Sequence, residues 1–329
     1  MNMRKIFIIF AMLIGNVAVW GSNPVSILIS DGIDNDAIKA KMERTMSTLF
    51  TEAGAAWEGK RNMNYAALGI PSDTQNDLST LWENSPFICY EPTVVQHCLT
   101  TGTGYQIRNI PLELVESEED DKYHEAVLNF DKRGNLVSFH LSISNNLYME
   151  VLNSNMELTD LRRRQLILDW VEQFRTAYNK KDLNFLEAIY SDDALIITGT
   201  VKPQRSKENI KLPPKIEYNK QTKRQYLDKL KIVFKNNKTI RVTFDEIEVM
   251  MHPVTADVYG VTLHQGYTSD TYHDDGYLFL LWDFQNESRP LIHVRTWQPD
   301  SYSKDGKTKQ RIPKSEIFGL DDFPFEIPT

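Results

Sequence analysis

Between Tyr277 and Pro299 the chain reads YLFLLWDFQNESRPLIHVRTWQP, two dense apolar segments around a polar break. Segments this short and this apolar read as strands, and the break brings them together as an antiparallel pair. Two further strand patterns precede them, TIRVTFDEIEVMM and DVYGVTLHQGYTS. Four long strands in succession must share a sheet, and that sheet needs an apolar cover. Helices upstream supply one. Ile167, Trp170, Val171, Phe174 and Tyr178 recur at helical spacing after a predicted N-cap at Thr159, with Asp160 in the first turn. Asp182 caps a short helix, LNFLEAIY, which leads into the strand ALIITG. A polar, lysine-rich and proline-containing insertion is expected from Thr200 to Asn219. Then KRQYLDKLKIVFKN places Tyr226, Leu227, Leu230, Val233 and Phe234 on one side of a third helix.

The first half has a different plan. The strand VSILIS is followed by a helix capped near Asp34, whose Ile38, Met42, Met46, Leu49, Phe50 and Ala53 form an apolar stripe. A short helical stretch around Leu78 to Trp82 comes next, then alternating strand segments from FICYEP to LVSFHLSIS. DKRGN, Asp131 to Asn135, reads as a hairpin turn in which Gly134 supplies a positive φ. The acidic run ESEEDD, Glu116 to Asp121, reads as an exposed loop. The expected fold class is α+β with two domains: an N-terminal helix plus antiparallel sheet over 23–154, and over 155–329 three helices wrapped by a curved antiparallel sheet.

Residues 1–22 have the layout of a secretory signal peptide: Arg4 and Lys5, an apolar run from Ile6 to Trp20, and small residues at its end. The run is short for a bilayer span, so the expectation is an exported protein, periplasmic or extracellular in a bacterium, with no membrane span after cleavage. The formal charge of −8 and the absence of a concentrated basic surface argue against nucleic acid as a partner. Cys89 and Cys98 are the two cysteines. In an exported chain they permit one disulfide, and FICYEP and VVQHCLTT read as neighbouring strands of a tight hairpin. Two reduced, buried cysteines are the alternative. The sequence carries no motif for a metal or a cofactor, and none is expected.

The order helix, short helix, strand after YSDDALIITG, third helix and four strands ending in IHVRTWQP resembles the nuclear transport factor 2-like superfamily over Leu158 to Asp300. The resemblance implies a cone with an apolar cavity, and members that include polyketide cyclases, ketosteroid isomerases and non-enzymatic modules. It also implies that Asp192 and Asp193 mark the turn into the first strand. With its first domain and the tail EIFGLDDFPF, the whole chain is similar to uncharacterised exported bacterial proteins. Fold does not confer chemistry.

On the last strand, Leu291, His293, Arg295 and Trp297 alternate with Ile292, Val294 and Thr296, so the two sets occupy opposite faces. If Phe284 lies opposite Leu291, Trp282 faces His293 and the pair forms an aromatic wall. A shift of one residue places Asp283 there instead and makes a His–Asp pair able to act as a general base. His264 joins His293 if the strands align, and Tyr190, Tyr259 and Tyr267 offer hydroxyls. Arg295 is either an anion clamp or a surface ion-pair partner. HDDG, His273 to Gly276, reads as a loop. Two functions remain in view. One is a non-enzymatic module holding a small ligand or an envelope protein in the cone, with a homodimer through the open sheet face as a further possibility. The other is an isomerase, cyclase or hydrolase centred on His293 and Asp283.

Overall fold

The computed structural model describes residues 24–117, 122–153, 161–205, 211–303 and 310–323. The signal peptide, the Thr159 cap and residues 118–121 of the acidic run lie outside the described residues.

The N-terminal unit packs a long helix, α1 (Asp36–Glu58), and a second, α2 (Ser72–Asn84), against an antiparallel sheet. The sheet comprises β2 (Phe87–Ile88), β4 (Cys98–Thr100), β5 (Gly104–Leu114), β6 (Tyr123–Asp131) and β7 (Leu136–Leu141). Beside it, β1 (Ser26–Ile29) pairs parallel with β3 (Thr93–Gln96). The cap of α1 falls on Asn35, whose side chain accepts from the Ile38 amide. The stripe predicted for α1 is buried at Met42, Met46, Leu49, Phe50 and Ala53. Gly134 has φ +71° in the β6–β7 turn.

The cysteines are not joined. Strands β2 and β4 both pair with β5, but at its opposite ends: Ile88 faces Glu113 and Cys98 faces Ile107. Six positions along a strand span roughly 20 Å, far beyond the Cα separation a disulfide tolerates. Cys89 and Cys98 are buried free thiols, which corrects the expected disulfide.

In the second unit, α4 (Leu161–Asn179), α5 (Leu183–Ile189) and α6 (Lys223–Asn236) lie in the concavity of a six-stranded sheet. Its strands are β8 (Tyr190–Arg205), β9 (Lys211–Thr222), β10 (Ile240–Met251), β11 (Val258–Ser269), β12 (His273–Asp283) and β13 (Leu291–Pro299), in the order β10-β11-β12-β13-β8-β9. Only the β13–β8 pairing is parallel. Asp182 caps α5 by accepting from the Phe185 amide, and a Thr222–Gln225 capping box opens α6. The fold class is α+β, and this unit runs helix, short helix, strands β8 and β9, helix and four antiparallel strands, one strand more than the order expected from the sequence.

The expected insertion over Thr200–Asn219 is instead an extension of β8 and β9, with Thr200 opposite Glu217 and Lys202 opposite Lys215. Strand β9 is the edge of the sheet, and Pro214 falls where its pairing with β8 is interrupted, between Lys202–Lys215 and Gln204–Leu212. HDDG opens β12 and is not a loop. A tail strand pairing, β14 (Ser301–Tyr302) with β15 (Gln310–Arg311), leads the chain back over the outer face. There Phe318, Leu320 and Phe323 cover Phe279, Leu281 and Val294. The face considered for a homodimer therefore carries the chain's own tail at this point.

A third helix of the N-terminal half, α3 (Asn145–Asn153), packs Leu147, Tyr148 and Val151 into the second core, which begins at Ile143. The seam between the units is polar and buried. Arg108 on β5 makes a two-pronged ion pair with Glu172 on α4, at 2.9 and 2.7 Å. Glu172 also accepts from the Ile143 amide at 2.8 Å. Burial alone would raise the Glu172 carboxyl, but the Arg108 charge and hydrogen bonds from His140 and Arg108 overcome it and hold the group at about 2.

Candidate functional site

The inner face of the sheet is set by alternation. Register pairs Tyr259 with Trp282, Val261 with Leu280, Leu263 with Leu278 and Tyr267 with Asp274, and this inner set points at the helices. At the narrow end it is sealed: Trp282 is fully buried, with ring centroids 6.5 Å from Phe174 and 5.6 Å from Phe284. The other end, toward Tyr267 and Trp297, is open. A cavity of about 500 Å³ opens there, lined by Arg295, Trp297, Tyr226, Tyr267, Gln265 and Asp274 among others.

Strand β13 reaches this cavity through an irregularity. Asp283 pairs with Leu291 and Trp282 with Ile292, but Leu281 pairs with Val294, so His293 is an extra residue. From Leu281 opposite Val294 onward the first register considered from the sequence is the one adopted; the bulge changes only the pairs before it, so that Trp282 faces Ile292 and not His293. A bulge of this kind reverses the alternation beyond it. Ile292 belongs to the inner core and Val294 to the outer cluster, and Arg295 and Trp297 return to the inner side. His293 is left near two outer carboxylates, 3.6 Å from Asp283 and 3.9 Å from Asp193. His264 pairs across from Tyr277 on the outer face, its Nδ1 2.6 Å from Asp245. The two histidines thus lie apart from each other, and neither lines the cavity.

Arg295 has the most telling environment. It is 6% exposed, so it is no surface group. Its guanidinium sits 4.9 Å above the Tyr226 ring, and its Nε is buried without a hydrogen-bond partner. Among the described residues no carboxylate lies within ion-pair reach of it. Its neighbours are phenols. Tyr178 hydroxyl lies 2.5 Å from that of Tyr226 and 3.2 Å from that of Tyr190. Burial pushes all three well above the ordinary phenol value. They stay neutral and cannot balance the guanidinium, which remains charged. An ion taken out of water without a counter-ion costs several kcal/mol. A cation–π contact of about 2 kcal/mol offsets only part of that.

Asp274 on β12 lines the same cavity; burial raises its carboxyl, and it accepts from Tyr272 hydroxyl at 2.6 Å. Gly276 makes room for Trp297. A Cβ on Gly276 would lie 2.7 Å from the indole ring and 2.4 Å from the Gln298 carbonyl oxygen.

Of the residues singled out in the sequence, Arg295, Trp297 and Tyr267 line the cavity and Tyr190 stands behind it. Tyr259 and Trp282 belong to the sealed end, and His264, His293 and Asp283 to the outer side. Tyr178 and Tyr226 were hidden in helical core stripes, and Asp274 in a segment that reads as a loop. Among the described residues, one cluster has metal-ligand types, His140, Asp169 and Glu172. There the Arg108 guanidinium already holds both Glu172 oxygens.

No protein-family model matches the chain, and no curated protein matches it. Solved structures similar to it include an NTF2-like protein from Cytophaga hutchinsonii, at 15% identity and a TM-score of 0.32, with 41% of this chain and 97% of that one covered. Another is Bd1075 of Bdellovibrio bacteriovorus, at 12% identity and a TM-score of 0.34, covering 62% and 79%. A third is naphthalene 1,2-dioxygenase, at 11% identity and a TM-score of 0.34, covering 48% and 88%. At these scores the architecture rests on the strand order and helix placement of this chain itself.

Proposed function

We propose that the C-terminal domain is a non-enzymatic binding module whose cone holds a small molecule bearing a single carboxylate. The observation that carries this reading is Arg295, buried on a cavity wall without a counter-ion. A carboxylate entering the cavity supplies the missing charge and accepts charge-assisted hydrogen bonds from the guanidinium. Tyr226, Tyr267 and Trp297 suit a flat or cyclic apolar body behind that group. Arg295 is the one cation among the described lining residues, and Asp274 and Asp275 line the same cavity, so a multiply charged anion is disfavoured. No histidine among the described residues lines the cavity, which favours binding over His-centred acid–base chemistry. The N-terminal sequence supports placing this module outside the cytoplasm. Among the described residues no helix is long and apolar enough to cross a membrane.

Calorimetric titration with benzoate, cyclohexanecarboxylate and hexanoate, each against its amide, tests the reading. Hydrogen bonds to a charged group predict at least about a tenfold preference for acid over amide. Arg295→Met should erase that preference. Equal affinity for acid and amide, or an acid preference that survives Arg295→Met, would overturn it.

A further inference from the structure

The seam between the two domains contains a second cavity, of about 340 Å³. We propose that it binds a neutral sugar, independently of the Arg295 site. The sheet of the N-terminal unit contributes Gln106, Asn129 and Ser138, and α4 contributes Gln165, Asp169, Trp170 and Gln173.

The charged groups here are already hydrogen-bonded. Asp169 Oδ1 accepts from Gln106 Nε2 at 3.0 Å and from Asn129 Nδ2 at 2.9 Å, and its Oδ2 accepts from Gln173 Nε2 at 2.8 Å. Arg162 on the rim is paired with Glu287. Asp131 is held by amide donors of its own turn. An anion finds only carboxylates and an arginine that is already paired, so the site disfavours anionic ligands, while its carboxylate and amide groups suit a neutral polyhydroxylated one.

What remains open is hydrogen-bonding capacity on planar groups. The Gln165 side chain makes no hydrogen bond to a described residue. Gln173 and Asp169 line the same space. Each hydroxyl of a sugar both donates and accepts, which suits a wall of mixed amide and carboxylate groups. Trp170 adds the apolar surface that C–H faces of a sugar ring need. Its indole is backed by Phe185, with centroids 6.1 Å apart and planes 24° from parallel, so the platform is fixed before the ligand arrives. The volume is at the lower end of small-molecule sites, which limits the ligand to one or two rings. Arg162 lies against Gly102, where a Cβ would collide with the guanidinium. The Arg162–Glu287 pair thus closes one side of the cavity between the domains. It is exposed and weak enough to yield.

The test is saturation-transfer NMR and calorimetry on the whole chain with glucose, galactose, N-acetylglucosamine and cellobiose. At least one should bind saturably. Gln173→Ala and Gln165→Ala, on the helix surface, should each weaken it by about three- to tenfold through loss of a hydrogen bond. Arg295→Met should leave it unchanged. Three results would overturn the proposal: no saturable binding by any of these sugars, affinity untouched by both glutamine variants, or binding lost in Arg295→Met. Circular dichroism of each variant separates loss of site from loss of fold.

Discussion

Replacing Glu172 with glutamine removes one charge from a fully buried ion pair and keeps the shape. In the folded chain Glu172 titrates at about 2, against an ordinary 4.5. A carboxyl displaced downward by that much contributes about 3 kcal/mol of stability at neutral pH. Because the folded value is the lower one, the contribution is fully present above about pH 4.5 and is lost as pH falls toward 2. Glu172→Gln loses it at once and also strands Arg108, so the cost at pH 7 should be about 3–5 kcal/mol. That is a large share of the roughly 5–15 kcal/mol that holds an ordinary domain together. Urea unfolding followed by circular dichroism at pH 7, 4.5 and 3 measures it. The gap between wild type and variant should narrow as the pH drops. An Arg108→Met/Glu172→Met chain, with no charge left to strand, should recover much of the loss. A variant within about 1 kcal/mol of wild type at pH 7, with a parallel pH profile, would refute the reasoning.

Arg295→Met removes an uncompensated buried charge, so it should stabilise the ligand-free protein by about 1–2 kcal/mol while abolishing carboxylate selectivity, as read by urea unfolding and titration. Gly276→Ala drives a Cβ into the Trp297 ring and the Gln298 carbonyl; it should cost about 1–3 kcal/mol and weaken the cone ligand, measured by the same two methods. His293→Ala lies off the cavity and should leave benzoate affinity within about twofold, checked by calorimetry. Cys89 and Cys98 should both be alkylated in denaturant without reductant, and mass spectrometry should show two adducts.

Helical spacing and caps gave the architecture away: the stripes on α1, α4 and α6, with Asp182 before α5, are local signals that tertiary packing reinforced. Arg295 and Trp297 were legible as partners on one face for the same reason. His293 was not, because an argument from alternation assumes an unbroken strand, and one unpaired residue in β13 reverses which face it occupies. The cysteines mislead because FICYEP and VVQHCLTT read as partners of one hairpin, whereas each pairs with β5 and neither with the other. The pair Arg108 and Glu172 gave no signal at all. A charged position on the far side of an amphipathic helix reads as solvated unless the other domain is known to lie upon it. The charged and proline-containing stretch after Thr200 likewise reads as a loop, although an edge strand tolerates both features.

The central claim is that a ligand carboxylate meets the Arg295 guanidinium inside the cone. Its most direct test is the Nε–H resonance of Arg295 in arginine-labelled protein, identified by its disappearance in Arg295→Met and followed as benzoate is added. A saturable shift of that resonance, with the other arginines unmoved, is the predicted result. Benzoate binding that leaves the Arg295 resonance where it was, or no binding at all, would contradict the account.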